Sequence, residues 1–423
     1  MNNALDVLKE RGLFEDSTSS DIGKILESPC TIYAGFDPTS ASLQVGNFVT
    51  IMALAHLQRC GHRIIALVGG ATGMIGDPSG KINERSLLSP EEVNRNIVGI
   101  KENLSRFLDF NDRKAPAMIV NNNDWFEGYS FVDFLRDVGK HFRLGAMLGK
   151  ESVKTRLASD SGMSFAEFSY QALQAYDFLK LYDSEGCLIQ IGGSDQWGNI
   201  TAGIDLIRKL RGVETYGLTF PLICDSSGKK FGKSEQGAIY LSPDQTSYYD
   251  FYQFFVRVED ADVVNLLKVF TFLSMDEIAK LAETVKNEPE SRLAQKRLAA
   301  ELTRTVHGDI GLKTAQQASS VLFGASMAGM HAIDLLKVFA DVPSTELARG
   351  NVVGSRIVDV TAASGLCKSK GEARRLIDSG GLYVNNMKVN NIDATIGEQD
   401  IIDNLLLVLR SGKKNYHLVR IIT

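Results

Sequence analysis

The run Gly35-Phe36-Asp37-Pro38-Thr39-Ser40-Ala41-Ser42-Leu43-Gln44-Val45-Gly46-Asn47 reads as the exit of a strand, a loop and the start of a helix. An apolar, β-rich run leads into it from Cys30 to Tyr33. Similar runs recur at Arg63 to Val68, Ala117 to Val120 and Cys187 to Ile191, each followed by Gly, Asn or Asp and then a helical period. Strands that alternate with helices predict an α/β domain with a Rossmann-like parallel sheet, whose ligands lie beyond the carboxyl ends of the strands. A second segment, Lys229-Lys230-Phe231-Gly232-Lys233-Ser234-Glu235, gathers amines around a glycine in a turn. Such a turn can fold over polyphosphate, and the two segments together can grip the two ends of one nucleotide. On its own the lysine turn is equally a solvated basic hairpin.

At 423 residues the chain is too long for one core. The patterning suggests a catalytic domain over 1–220, a loop and helical domain over 221–325, a linker with some helix over 326–350 and a compact α+β unit over 351–423. Helical periodicity dominates 241–310, as in Asp262-Val263-Val264-Asn265-Leu266-Leu267-Lys268-Val269-Phe270. The last unit carries a helical run from Ser369 to Ile377, then Gly380-Gly381, then strands around Leu382 to Val384 and Leu405 to Leu409.

Hydrophobic residues make up 44% and charged residues 23%, the balance of a soluble globular protein. No apolar run approaches twenty residues, and Met1 to Glu15 mixes charge with apolar residues where a signal peptide would carry an h-region. A cytoplasmic protein without a membrane span is expected. The five cysteines, Cys30, Cys60, Cys187, Cys224 and Cys367, are scattered without C-x-x-C spacing, which argues against both a disulfide framework and a structural zinc site. The six histidines lie outside the segments singled out here and are not spaced as metal ligands. From Asn351 to Thr423, ten Lys or Arg stand against seven Asp or Glu, a net of +3 that leaves −8 for the rest of a chain totalling −5. A basic end on an acidic body fits a nucleic-acid contact confined to that end, although solvated faces carry similar excesses.

A polar stripe crosses the otherwise apolar run Phe165 to Leu179: Tyr170, Gln174 and Asp177 lie four and seven residues apart, on one helical face. Buried polar groups need partners, so the stripe is either a bonded core network or the wall of a polar pocket. The Gly192-Gly193-Ser194-Asp195-Gln196 turn leaves an apolar strand and lets a ligand lie against the backbone, with Asp195 able to accept from ribose hydroxyls. Read without context, it is also an ordinary strand-to-helix turn. Trp125 and Trp197 are expected to pack the sheet.

Over essentially its whole length the chain resembles the bacterial tyrosyl-tRNA synthetases, class I aminoacyl-tRNA synthetases. The likeness rests on Tyr33 to Thr39, Val68 to Lys81, Glu167 to Asp177, Gln190 to Asn199 and Lys230-Phe231-Gly232-Lys233-Ser234, the last resembling the second class I signature; residues 351–423 resemble an S4-type RNA-binding domain. The resemblance implies activation of L-tyrosine by ATP with Mg²⁺, transfer to tRNA(Tyr), and a homodimer. It implies that Tyr170, Gln174 and Asp77 meet the α-amino group of tyrosine, that Tyr33 and Asp177 bond its phenolic hydroxyl, and that Gln196 and Asn122 complete the pocket. It places Asp37, Thr39, Gly46, Thr50, Gly192, Gly193 and Asp195 at the nucleotide. Lys230, Lys233 and Ser234 would close over the pyrophosphate, supplemented by Lys81 and Arg85. No dedicated carboxylate cage for metal is evident, so Mg²⁺ would come bound to phosphate.

One departure bears on mechanism. The first class I signature, His-x-Gly-His, stands here as Gln44-Val45-Gly46-Asn47. Activation is an in-line attack by a carboxylate that is already nucleophilic at neutral pH, so no general base is needed. The amide donors of Gln44 and Asn47, at a helix N-terminus, can serve the phosphate. Activity is therefore expected, with an RNA-binding homologue of impaired activation as the alternative. A tryptophanyl-type enzyme is disfavoured by the hydroxyl-reading pair Tyr33 and Asp177. Lys368, Lys370, Arg374, Arg375, Lys413 and Lys414 are candidates for RNA phosphates, which cations hold without reading sequence.

Overall fold

The computed structural model describes residues 3–79, 88–158, 162–226, 228–234, 237–322, 324–340, 342–413 and 415–422. The chain forms two compact units, residues 1–246 with 256–306 and residues 247–255 with 307–423.

The first unit is organised by a six-stranded sheet made of β1 (Asp16–Ser17), β2 (Thr31–Phe36), β3 (Arg63–Val68), β4 (Met118–Asn121), β5 (Cys187–Gly193) and β6 (Tyr216–Phe220). Their order across the sheet is β1-β6-β5-β2-β3-β4. All pairings are parallel except that of β1 with β6. β2 and β3 are almost wholly buried, which explains why they read as continuous apolar runs and not as alternating ones. From β2 the chain first builds outward through β3 and β4, then returns to β5 on the other flank. A crevice opens at the carboxyl ends where the order reverses, between β2 and β5.

Two helices wall that crevice. Phe165–Glu185 starts at a capping box of Ser164 and Glu167 and stops at Gly186, whose φ of 61° ends the helix in the left-handed region. Trp197–Arg211 follows β5. Tyr33, Ala175, Phe178, Leu179, Ala202, Leu206 and Ile207 form one core between these helices and the sheet. The expected break at residue 220 is absent. The hairpin of β7 (Lys233–Ser234) and β8 (Gly237–Ala238) and the helices Asp260–Phe270 and Met275–Asn287 belong to the same unit. Arg11 ties the N-terminal segment to them by donating to the carbonyls of Lys268, Thr271 and Leu273.

In the second unit a five-stranded sheet runs β11 (Met387–Lys388), β10 (Leu382–Val384), β12 (Leu406–Ser411), β13 (Asn415–Ile422), β9 (Ser344–Ala348). β12 feeds both faces with period two: Leu407 and Leu409 enter one core and Leu406 and Val408 the other. The segment 326–350, expected as a linker, is built into this unit. Met327, Met330, Ala332, Leu335, Val338 and Phe339 fill the second core, and β9 pairs in parallel with β13. The edge strand Ser-Thr-Glu-Leu-Ala has neither an apolar run nor clean alternation, and its partner lies some seventy residues on, so no local signal marks it. Likewise 307–325, expected with the helical domain, falls in the second unit; the helix Leu293–Val321 is broken at Gly308 (φ 70°, ψ −175°). No helix among the described residues is long and apolar enough to cross a membrane.

Candidate active site

The crevice holds a cavity of about 290 Å³ lined by Tyr33, Asp37, Thr39, Gly46, Asn47, Thr50, Asp77, Tyr170, Gln174, Asp177, Gly192, Gly193, Asp195, Gln196 and Lys230, among others. It thus brings together fifteen residues drawn from segments up to two hundred positions apart. Two expected residues stand outside the lining, Gln44 and Asn122. Lys81 and Arg85 lie outside the described residues, as do the side chains of Lys233 and Ser234.

At its inner end the cavity is bounded by buried polar groups. Asp177 is 2% exposed, and its carboxylate accepts from Trp125 Nε1 at 2.8 Å and from Asn122 Nδ2 at 3.1 Å. Burial pushes the Asp177 carboxyl up to about 8, while those two donors pull the other way. Asn122 is fully buried behind the wall, where it also donates to Thr72 Oγ1 and accepts from the Ala71 N–H. It holds Asp177 instead of lining the pocket. Trp125, expected as a packing residue, is a hydrogen-bond donor to the same carboxylate. Beside them the hydroxyl of Tyr33, a residue 1% exposed, has no partner among the described residues. An unbonded buried hydroxyl is costly, and this one lines the cavity. Burial, with Asp177 second, raises the Tyr33 phenol well above its usual range. Gln190, also lining, keeps its Oε1 sealed and unbonded; sequence reasoning missed it because it reads as one position in an apolar strand.

Along the opposite wall the polar groups are joined. Gln196 Nε2 donates to Asp77 Oδ2 at 2.6 Å, Gln174 Nε2 to Gln196 Oε1 at 3.3 Å, and Asn199 Nδ2 to Gln174 Oε1 at 3.0 Å. Tyr170, expected at an ammonium group, here donates its hydroxyl to Asp37 Oδ2 at 2.8 Å, and Thr72 donates to Asp37 Oδ1 at 2.9 Å. Both carboxylate oxygens of Asp37 are thus engaged by this wall. Its crowding also explains Gly69, since a Cβ there would sit 2.2 Å from Asp37 Oδ1.

The outer end is framed by backbone. Val45 N–H donates to Ile239 O, and Gln44 pairs with Tyr240, so the first signature segment is laced to the strand that follows the lysine turn. At Gly232 the two come closest. With φ of 100°, its Cβ would lie 2.8 Å from Gly46 N, so any other residue is excluded by both strain and space. The Gln44 N–H donates to Asn47 Oδ1 at 2.9 Å, which leaves the Asn47 amide NH₂ as the donor this segment offers the cavity. Across from it Asp195 has its carboxyl raised by burial and by Asp77, with Lys230 opposing. Among the described residues no group of three His, Cys, Asp or Glu side chains is placed to hold a metal ion.

Residues 26–324 match the model for class I tRNA synthetases (W and Y), and 334–419 match the tyrosine–tRNA ligase SYY-like C-terminal domain. The chain is 51% identical to a tyrosine–tRNA ligase of Protochlamydia amoebophila, covering 100% of this chain and 99% of that one. The chain belongs to the class I tyrosyl-tRNA synthetases. It is also 48% identical to a tyrosine–tRNA ligase of Roseiflexus castenholzii over the full length of both. Its fold is similar to that of a C-terminally truncated mitochondrial tyrosyl-tRNA synthetase from Aspergillus nidulans, with a TM-score of 0.69 and 32% identity over 76% of this chain and 95% of that one.

The synthetase's C-terminal unit carries its cations in the open. Lys368, Lys370, Arg374 and Arg375 are exposed on or beside the helix Lys370–Asp378, and Lys413 is exposed in the turn between β12 and β13; Lys414 lies outside the described residues. Lys370 is partly engaged, 2.8 Å from Asp359.

Proposed function

We propose that the chain is a tyrosine–tRNA ligase in which the Tyr33–Asp177 end of the cavity reads the phenol. The observation that carries this reading is the sealed, unbonded Tyr33 hydroxyl beside a buried carboxylate fixed by Trp125 and Asn122. A phenol between them would accept from one and donate to the other. An indole or a plain phenyl ring would leave at least one of the two unsatisfied.

In this reading the tyrosine ammonium meets the acceptors at Asp77, Gln174 and Tyr170, and ATP lies outward, along Gly46, Asn47, Thr39, Thr50, Gly192, Gly193 and Asp195. The tyrosine carboxylate attacks the α-phosphorus in line and pyrophosphate leaves; a 3′-terminal ribose hydroxyl of tRNA then attacks the acyl carbon and AMP leaves. Lys230, with Lys233, Ser234, Lys81 and Arg85, would neutralise charge that builds on the leaving pyrophosphate, and Asn47 would donate to the phosphate where a histidine is usual. Mg²⁺ would arrive on the phosphate oxygens and offset their charge. Lys368, Lys370, Arg374, Arg375, Lys413 and Lys414 would hold tRNA phosphates. In this reading the protein works in the cytoplasm.

A homodimer belongs to the same reading. Phe131, Leu144 and Phe165 are 62%, 66% and 66% exposed along an apolar groove of about 530 Å³. Apolar surface of that kind fits a second copy of the chain. Sedimentation should give twice the chain mass, and a Phe131→Asp variant should give a larger monomer fraction.

The function is tested by ATP–pyrophosphate exchange on purified protein with tyrosine, phenylalanine and tryptophan. Exchange with tyrosine alone is expected. Exchange with none of them, by a folded protein that still binds tRNA, would leave the RNA-binding alternative.

A further inference from the structure

Three side-chain amides and one carboxylate run in series along the wall of the cavity, and the carboxylate fixes their direction. A carboxylate only accepts, so Gln196 must turn its NH₂ toward Asp77, and the bond is short at 2.6 Å. The Oε1 of Gln196 then faces inward, where it accepts from Gln174 Nε2 at 3.3 Å and from Asn199 Nδ2 at 3.2 Å. With its NH₂ so used, Gln174 turns its Oε1 to Asn199 Nδ2 at 3.0 Å. Asn199 also donates to Ser79 Oγ at 3.3 Å, beside the Ser79 N–H that donates to the other oxygen of Asp77. Among the described residues the Asn199 side chain only donates. It is 7% exposed, in the first turn of the helix Trp197–Arg211, and it is not among the residues lining the cavity.

The oxygen and nitrogen ends of an amide are nearly equal in size, so packing hardly distinguishes a Gln from its flipped form. Hydrogen-bond partners decide. Asp77 sets the near end of the series, but Gln174 lies one link further away. Its orientation is held from the far side only by the donor at residue 199. Without that donor Gln174 is free to rotate and present its NH₂ where its oxygen stood. The dipole facing a bound cation would then change sign.

We infer that Asn199 is a positioning residue, which locks the Gln174 amide so that its oxygen, with one lone pair still open, is available to a substrate ammonium group. The inference rests on the proposed tyrosine-activating function and adds to it a residue that touches no substrate. Its loss acts on the ammonium end alone. The phenol end, built from Tyr33, Asp177, Trp125 and Asn122, shares no hydrogen bond with the series.

The test compares two ligands that differ only in the amine. Tyrosine is the substrate of exchange, and 3-(4-hydroxyphenyl)propionate, which lacks the amino group, is titrated against it as a competitor. In Asn199→Ala and in the similarly sized Asn199→Leu, the KM for tyrosine should rise roughly tenfold, the loss of one hydrogen bond to a charged group. The inhibition constant of the amine-free acid should be unchanged or lower, and the KM for ATP unchanged. Parallel weakening of both aromatic ligands would show a merely structural role and overturn the inference. An unchanged KM for tyrosine in both variants would overturn it as well. Wild-type protein without tyrosine-dependent exchange would instead contradict the proposed function on which it rests.

Discussion

In the first unit the polar groups at the inner end of the cavity are buried, with Asp177 held by two donors and Tyr33 left unbonded, whereas in the second unit the candidate RNA contacts stand exposed with few partners. Asp177, Asn122 and Asn199 are at most 7% exposed and between them make seven side-chain hydrogen bonds among the described residues. Arg374, Arg375 and Lys413 are exposed, with no ion pair among the described residues. A buried network discriminates because each mismatch leaves a desolvated group without a partner. Exposed cations attract phosphate in proportion to their number and are screened by salt. The first arrangement suits the choice of a small molecule and the second suits a grip on a polyanion.

That contrast can be broken at several points. The largest effect is expected at the outer end of the cavity. Lys230→Ala should slow adenylate formation by roughly 10²–10³ while leaving tyrosine binding unchanged, as single-turnover kinetics against equilibrium dialysis would reveal. Unchanged kinetics would remove Lys230 from the pyrophosphate site. A smaller effect is expected behind the wall: Trp125→Phe removes one donor to Asp177 and should raise the KM for tyrosine by roughly tenfold with kcat largely kept.

Asp177 also makes stability depend on pH. Its carboxyl is raised from 3.8 to about 8 in the folded chain, so the folded state holds the proton more tightly and stability falls as pH rises between those values. His56 has the opposite sign. Burial, with Arg11 and Arg59, lowers it from 6.5 to about 3, so its contribution is lost as pH falls through that range. Asp177→Asn keeps His56 and removes only the first effect. Its melting temperature relative to wild type should therefore climb from pH 5 to pH 8, and a flat difference would mean that Asp177 titrates normally. The smallest effect belongs to the second unit. Arg374→Ala with Arg375→Ala should weaken tRNA binding a few-fold and reduce its salt slope by about one to two, without altering tyrosine-dependent exchange.

The first sheet was legible because parallel buried strands are continuous apolar runs, and β3 spans Arg63–Val68 as the pattern predicts; in the second unit the antiparallel β10 spans Leu382–Val384, where a strand is expected. The stripe of Tyr170, Gln174 and Asp177 was legible from helical spacing alone. What the sequence concealed were partners distant along the chain. Trp125 looks like a packing residue because nothing local shows that its indole N–H meets a carboxylate fifty-two positions away. Thr72 and Asn199 were hidden for the same reason, and the signature spacing does not reveal that the Gln44 backbone is tied to Tyr240. The basic helix at Lys370 to Arg375 was readable because exposure follows directly from charge.

The account turns on the unbonded hydroxyl of Tyr33. Its most direct test is the ratio of kcat/KM for tyrosine over phenylalanine in exchange, measured for wild type and for Tyr33→Phe. The account predicts that the variant loses roughly tenfold of that ratio, through weaker use of tyrosine, because one hydrogen bond to the phenol is gone. An unchanged ratio would contradict it, since the phenol would then be read by some other part of the molecule.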